Sequence, residues 1–259
     1  RSPDGLEPRE QLAGIRERVL EMNRLQYRVF HEELLTGLVS RGIRLMLQKE
    51  EIEPWLDELS ILYRDSIRPV LTPISVGGTH PFPNLVTGRL YLAVSLRPDE
   101  ARTDQIEKSR LSFVEIPVRA HGRFLRLEEG CFVPLELVVR TFLPELFGGY
   151  VVEGAWLIKV TRDADLDIEQ DAAGDLLTLI ENKLTRMHRR SVVRLEYEQG
   201  MDETMRLLLA HRLGVGESDQ YGVEGLFTLH DLAGFVERIS RPGLVWPEAT
   251  AVEDRDFVV

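Results

Sequence analysis

A single cysteine, Cys131, stands in 259 residues. No internal disulfide can form, which fits a reducing cytoplasm. A basic excess is missing too: 32 Lys and Arg against 43 Asp and Glu leave a net charge of −11. That balance disfavours a dedicated binder of nucleic acid or another polyanion, while leaving room for a local basic pocket. No apolar run approaches the roughly eighteen residues of a membrane span. The polar opening Arg1-Ser2-Pro3-Asp4 carries no secretory leader pattern. The chain also opens without methionine, so we expect it to be a piece of something longer. Internal repeats and low-complexity tracts are absent. What remains is 43% hydrophobic and 29% charged, an ordinary globular balance with length for one large domain or two small ones.

Catalytic motifs are missing as well. There is no Walker-type GxxxxGK[ST] and no GxSxG nucleophile elbow. His31-Glu32-Glu33-Leu34-Leu35 begins like a zinc-protease helix, but Leu35 stands where the second histidine is required, leaving a solvated helical His–Glu pair. Asp163, Asp165 and Asp167 alternate like the start of a calcium loop, yet Ile168 replaces the required Gly and Gly174 the bidentate Glu. Asp167 instead suits a helix N-cap with Gln170 as its capping-box partner, a magnesium role being the lesser alternative. Gly214-Val215-Gly216 follows a helix and reads as a helix stop. His80, His121, His211 and His230 carry no arrangement marking a nucleophile or metal ligand. One basic cluster merits attention, comprising Lys183, Arg186, His188, Arg189 and Arg190. Arg186, Arg189 and Arg190 are candidates for an anion site, although cations complementing a helix C-terminus is the favoured reading.

The periodicities predict an α+β fold. Leu12, Ile15, Val19, Met22, Leu25 and Val29 form an apolar stripe on one long helix, expected to pack on neighbouring helices. A second helix starts near Pro54, buries Trp55, Leu56, Leu59, Leu62 and Ile67, and stops before Pro69. Gly77-Gly78 and His80-Pro81-Phe82-Pro83 mark a domain boundary, giving a helical N-terminal segment over 1–75 and a mixed α/β domain over 76–259. Leu90, Leu92, Val94 and Leu96 alternate as a strand with one buried face. Residues 98–109 read as an exposed loop. Residues 111–118 form another strand, put at an edge or bulge by Pro117, and His121-Gly122 turns it back into Phe124–Leu127. A strand over 155–161, a helix through Ala172–Leu184 and a strand at Val192–Leu195 predict a β-α-β unit with parallel strands. Helices are expected near 202–213 and 228–239.

Four segments carry a more specific signal: Pro69-Val70-Leu71-Thr72-Pro73; His80-Pro81-Phe82-Pro83-Asn84-Leu85; Val160-Thr161-Arg162-Asp163-Ala164-Asp165-Leu166; and Val193-Arg194-Leu195-Glu196. In this order and spacing they closely resemble the bacterial polyphosphate kinase family, the larger type that works through a phosphohistidine. Phe113–Pro117, Arg123-Phe124 and Gly225–Leu232 fit the same pattern. Two departures are mild: Ile158-Lys159 where the family often has Phe-Arg, and Arg190-Ser191 where a glycine is common.

The resemblance implies a parent enzyme that reversibly moves the terminal phosphate of ATP onto inorganic polyphosphate. ATP and magnesium would serve that parent, with neither held by this stretch alone. Residues 1–75 would form the later N-terminal domain and 76–259 the head domain, with no catalytic residue among them. The partners implied are downstream catalytic domains, polyphosphate, and a dimeric or tetrameric assembly, without nucleic acid. The implied setting is cytoplasmic, with peripheral membrane association as an option. The alternatives are a non-enzymatic α+β interaction module attached to other machinery and an autonomous nucleotide-binding enzyme.

Overall fold

Glu7 and Pro8 start the first helix, α1 (Pro8–Arg28). The Glu10 carboxylate accepts from the Glu7 N–H at 2.8 Å, closing a reciprocal cap on backbone donors otherwise left open. The helix continues through a π-helical turn (Val29–Leu34) into α2 (Leu35–Val39), and Gly42, at φ 71°, lets the chain reverse. This computed structural model describes residues 5–76, 82–99, 110–128, 130–163, 191–239 and 243–244.

The apolar stripe of α1 is not buried as expected. Leu12 is 64% exposed, Ile15 57%, Met22 60% and Leu25 52%. Period 3.6 identifies a face able to be buried but not what buries it. Toward the sheet α1 instead sends polar groups: Arg16 donates to the Ser218 and Gln220 carbonyls, and the Tyr27 hydroxyl to the Leu226 carbonyl at 2.9 Å.

The second helical run follows the sequence more closely. A 3-10 stretch (Lys49–Trp55), α3 (Leu56–Leu62), a π turn (Tyr63–Ile67) and a last 3-10 turn (Arg68–Val70) succeed one another. Leu59 and Ile67 are fully buried. The helical path runs through Pro69 rather than ending before it, because proline is tolerated in the first turn of the final 3-10 segment.

Two sheets follow. In the smaller one, β1 (Arg44–Leu45) and β5 (Phe124–Glu128) flank β6 (Cys131–Pro134). The six-stranded sheet has the order β2-β4-β3-β7-β8-β9. It comprises β2 (Ile74–Val76), β3 (Leu90–Pro98), β4 (Arg110–Glu115), β7 (Tyr150–Arg162), β8 (Val192–Glu198) and β9 (Gln220–Val223). Both faces of the larger sheet are covered. Leu90, Leu92, Val94 and Leu96 join a core with Leu59, Ile67, Val138 and Leu143; the last two belong to α5 (Leu135–Thr141) and α6 (Leu143–Leu146). Tyr91 and Ala93, on the opposite face, pack with Ile158, Val160, Leu195 and with Met205 and Leu209 of α7 (Glu203–Leu213).

The strand expectations are corrected in four respects. β3 is buried on both faces, since it is interior to a sheet covered on both sides. β4 lies between β2 and β3 rather than at an edge, and Pro117 falls past its end, opening the short α4 (Val118–His121). β5 does not fold back on β4; it pairs with β6 in the other sheet. Finally, β7 and β8 are antiparallel neighbours, Val160 opposite Leu195. A long connection permits a parallel crossover without requiring one, because chain length alone does not say at which end of the sheet the next strand starts. The parallel β-α-β unit is formed one element later, by β8, α7 and β9, with Leu195 opposite Gln220. The sequence reading missed β9, which is only four residues long and contains Gly222. The expected 172–184 helix lies outside the described residues; of the loop expected over 98–109, Pro98 ends β3 and 100–109 lie outside the described residues.

α7 has the ends its sequence specifies. Asp202 accepts from the Met205 N–H at 3.1 Å, and Gly214 closes the helix at φ 69°. Residues through Phe227 form one compact unit. In the second unit, a 3-10 turn (Leu229–Asp231) leads into α8 (Leu232–Ile239).

Candidate functional site

Two of the signature segments meet at a corner of the large sheet. Arg162, at the end of β7, donates from Nε to the Leu85 carbonyl at 3.0 Å, and its N–H to the Thr87 hydroxyl at 3.2 Å. The Gly88 N–H donates to the Val160 carbonyl at 3.0 Å, and the Asp163 N–H to the Ser191 carbonyl at 3.0 Å. Burial holds the Arg162 guanidinium below its ordinary pKa. The Phe82 ring meets Phe113 edge-on at 5.3 Å. The words Phe82-Pro83-Asn84-Leu85 and Val160-Thr161-Arg162-Asp163 are therefore two sides of one tied corner, which is a structural role. Asp165 and Asp167 lie outside the described residues.

A polar cleft runs between α1 and the β8–β9 side of the sheet. Its larger part, about 900 Å³, is lined by residues including Arg16, Arg24, Arg28, Tyr197 and Gln220. A smaller part, about 400 Å³, includes Glu136, Arg140 and Glu198. His31, Gln48, Gln199, Glu224 and Gly225 line both, so the two parts adjoin at His31. The π turn carries this histidine, whose Nε2 stands 3.4 Å from the Glu224 carbonyl. Gly225 faces it at φ 97°, and a Cβ there would come within 2.7 Å of His31 Nε2. The close approach and the positive φ both require glycine.

Ion pairs stiffen the walls. Arg123 and Glu136 pair at 2.6 Å with side chains only 2% and 7% exposed. Arg140 donates to Glu198 at 2.8 Å, and the other Glu198 oxygen accepts from the Leu157 N–H, also at 2.8 Å. Glu196 bridges Arg194 at 3.1 Å and Lys159 at 3.4 Å. The Tyr221 ring carries two guanidinium groups, Arg194 at 4.2 Å and Arg16 at 4.9 Å from its centroid. Burial, helped by the negative charge of Glu196, pushes the Tyr27 phenol up to about 12. This arrangement can bind and position; among the described residues no group of three or more His, Cys, Asp or Glu side chains is placed to hold a metal ion.

Arg186, Arg189 and Arg190 lie outside the described residues. Sequence reading missed Arg24 and Arg28 as cleft residues. Their i, i+4 spacing was visible, but the facing wall comes from residues near 197–225, too distant in sequence for periodicity to register. His121 occupies α4, its Nε2 buried and without a hydrogen-bond partner among the described residues. His211 is in the last turn of α7.

Comparison with known proteins adds an independent line. Residues 56–235 match the family model for the polyphosphate kinase middle domain. The chain is 35% identical over 259 residues to a polyphosphate kinase of Streptomyces coelicolor, a match covering 99% of this chain and 34% of that protein. Against a polyphosphate kinase of Mycobacterium tuberculosis it is 34% identical, covering 100% of this chain and 35% of the relative. The crystal structure of polyphosphate kinase from Porphyromonas gingivalis superposes with a TM-score of 0.70 at 25% identity, covering 93% of this chain and 35% of that one. The chain thus spans about a third of the length of the relatives it matches.

Proposed function

The chain belongs to the polyphosphate kinase family, and from that premise we propose that it supplies the helical shoulder and head of an ATP–polyphosphate phosphotransferase. In this role it shapes and braces the approach to reacting groups contributed by other parts of the polypeptide. The observation that carries the reading is the middle-domain match over 56–235, two of whose signature words meet in the Arg162 corner. The division into 1–75 and 76–259 is part of the proposal. Met46, Ile52, Leu59 and Ile67 of the helical segment share a core with Leu92 and Val114 of the sheet, which supports a fixed angle between the two parts.

Phosphoryl transfer depends on positioning and on neutralising charge along the phosphate chain. The described residues offer a scaffold and a polar cleft for such work, but no magnesium ligand set, so no step is assigned to a metal here. The exposed stripe of α1 supports packing against further parts of the assembly, whether of the same polypeptide or a second copy. The single cysteine supports a cytoplasmic setting.

The test compares the natural polypeptide carrying this chain with the same polypeptide lacking residues 76–259. ATP-dependent polyphosphate synthesis and the native oligomeric state should both be lost on excision. Unchanged synthesis after excision would defeat the proposal and favour a separable interaction module. Calorimetry of the 259-residue chain with ATP and magnesium should show no turnover; turnover would make the chain an enzyme in its own right.

A further inference from the structure

β9 is the last strand of the six-stranded sheet, and among the described residues it pairs on one side only, with β8. The Gln199 N–H donates to the Val223 carbonyl at 2.8 Å, so Val223 turns its backbone polar groups toward β8. By the alternation of a strand, Gln220, Gly222 and, just past the strand's end, Glu224 turn theirs outward. That edge faces the larger part of the cleft, which all three residues line. The opposite wall is α1 with its π turn, which reaches the edge only near its two ends. Arg16 donates to the Gln220 carbonyl at 3.0 Å, and His31 stands 3.4 Å from that of Glu224. Between these anchors the N–H and C=O of Gly222 have no partner among the described residues.

Two carboxamides complete the set. Asn23 on α1 and Gln199 beyond β8 line the same cleft, and neither side chain has a hydrogen-bond partner among the described residues. Gln199 lies so close over Gly222 that a Cβ there would come within 2.3 Å of its Oε1. Each of these open groups offers both a donor and an acceptor. An anion would leave the acceptors unpaired and a cation the donors. A peptide main chain, with one N–H and one C=O per residue, matches both. The charged lining is mixed too, Arg24 and Arg28 against Glu32 and Glu224, which selects neither a polyanion nor a polycation. An edge strand with open main-chain groups is a template for a further strand. From Gln220 to Glu224 the edge runs about 13 Å, the reach of roughly five extended residues.

We propose that an extended segment of the natural polypeptide, from outside these 259 residues, lies between β9 and α1 and pairs with the Gly222 edge as a seventh strand. The source follows from length and energy. The chain spans 34% and 35% of two relatives, so most of such a polypeptide lies elsewhere. A few main-chain bonds hold a free peptide weakly, whereas a tethered segment arrives at a roughly millimolar effective concentration. The proposal needs only that longer polypeptide and stands apart from the phosphotransferase role.

The test compares amide hydrogen exchange, resolved to single residues, in the natural polypeptide and in the 259-residue chain. The Gly222 N–H should exchange roughly tenfold more slowly or better in the natural polypeptide. Equal exchange in the two would overturn the proposal. A second arm installs a photo-crosslinking residue at an exposed place on the facing wall, Arg24→benzoylphenylalanine, in the natural polypeptide, with copies labelled with ¹⁴N and ¹⁵N mixed before irradiation. The expected cross-link joins this position to one segment outside the 259 residues, within a single copy. Cross-links between copies would overturn the assignment in favour of an assembly contact, and cross-links confined to the 259 residues would overturn it in favour of self-coverage. Adding Gly222→Pro removes the outward N–H and leaves the β8 ladder whole. It should cut the cross-link yield severalfold at an unchanged melting midpoint, and an unchanged yield in the folded variant would count against strand pairing. Should that variant fail to fold, exchange and cross-linking decide by themselves.

Discussion

The guanidinium of Arg162 joins two stretches that are far apart in sequence, since the Leu85 carbonyl it reaches lies on the other side of the sheet corner. Removing it leaves a carbonyl in a part-buried place, so Arg162→Ala should lower stability by about 1.5–3 kcal/mol, the range for a bond to a charged donor. Urea denaturation would register this as a lower midpoint with an unchanged slope; an unaltered midpoint would remove the corner's structural role. Two tyrosines offer a sharper contrast. Burial pushes the phenols of both Tyr27 and Tyr63 up to about 12 from 10.0. The folded state therefore keeps its phenolic protons where the unfolded chain loses them. The associated stability is whole below pH 10 and drains away as the pH climbs toward 12. Tyr27 donates to the Leu226 carbonyl at 2.9 Å, whereas the Tyr63 hydroxyl has no hydrogen-bond partner among the described residues. Accordingly Tyr27→Phe should cost about 0.5–1.5 kcal/mol at neutral pH, while Tyr63→Phe should cost nothing or stabilise. Each should flatten the alkaline limb of a stability-against-pH curve, and a curve unchanged in the double variant would count against buried phenols as its cause.

At the scale of elements, the π turn in the α1–α2 helix and the glycine opposite it work as a pair. A π turn re-aims the side chains that follow it; here it brings His31 against Gly225. Gly225→Ala meets both a φ of 97° and a contact of 2.7 Å with the imidazole, so a loss of about 1–3 kcal/mol is expected from the strained backbone together with the displaced ring. Adding His31→Ala should restore only part of the loss, since it relieves the contact and leaves the φ. Full recovery in thermal melts would show that the backbone term is negligible. The helices were legible where local signals coincide: the Leu12–Val29 stripe marked α1, and the Gly214 stop marked the end of α7. Strand pairing was not legible to the same degree. The alternation in Leu90–Leu96 was visible, but Tyr91 and Ala93 proved equally buried because a second layer covers that face. Nothing local in 155–195 states that β7 and β8 run antiparallel.

For the molecule as a whole, the outstanding property is an exposed apolar stripe that no described residue covers. Leu12, Ile15, Met22 and Leu25 are all more than half exposed on one side of α1. A contiguous patch of this kind drives association. Replacing Leu12, Ile15 and Met22 together by glutamine should leave the melting midpoint of the chain unchanged while reducing its self-association in light scattering. In the natural polypeptide the same triple change should loosen assembly or domain packing. A large drop in the midpoint of the chain itself would mean that the stripe is packed within it.

Taken alone, the sequence determined the longer helices α1, α3 and α7, the strands β3, β4, β5, β7 and β8, the α+β class and the family, because these rest on local periodicity and ordered signature words; it missed α5, α6 and the short strands β1, β2, β6 and β9. It also established what is missing, a set of residues in the spacing of a known catalytic motif. Only the tertiary structure decided which strands are neighbours, which face of α1 meets the sheet, and that Arg24 and Arg28 share a cleft with Gln199 and Glu224. The physical reason is range. Capping and amphipathic periodicity act over a few residues, whereas a sheet order joins strands tens of residues apart and the cleft joins α1 to β8 and β9 across most of the chain, which no local pattern encodes.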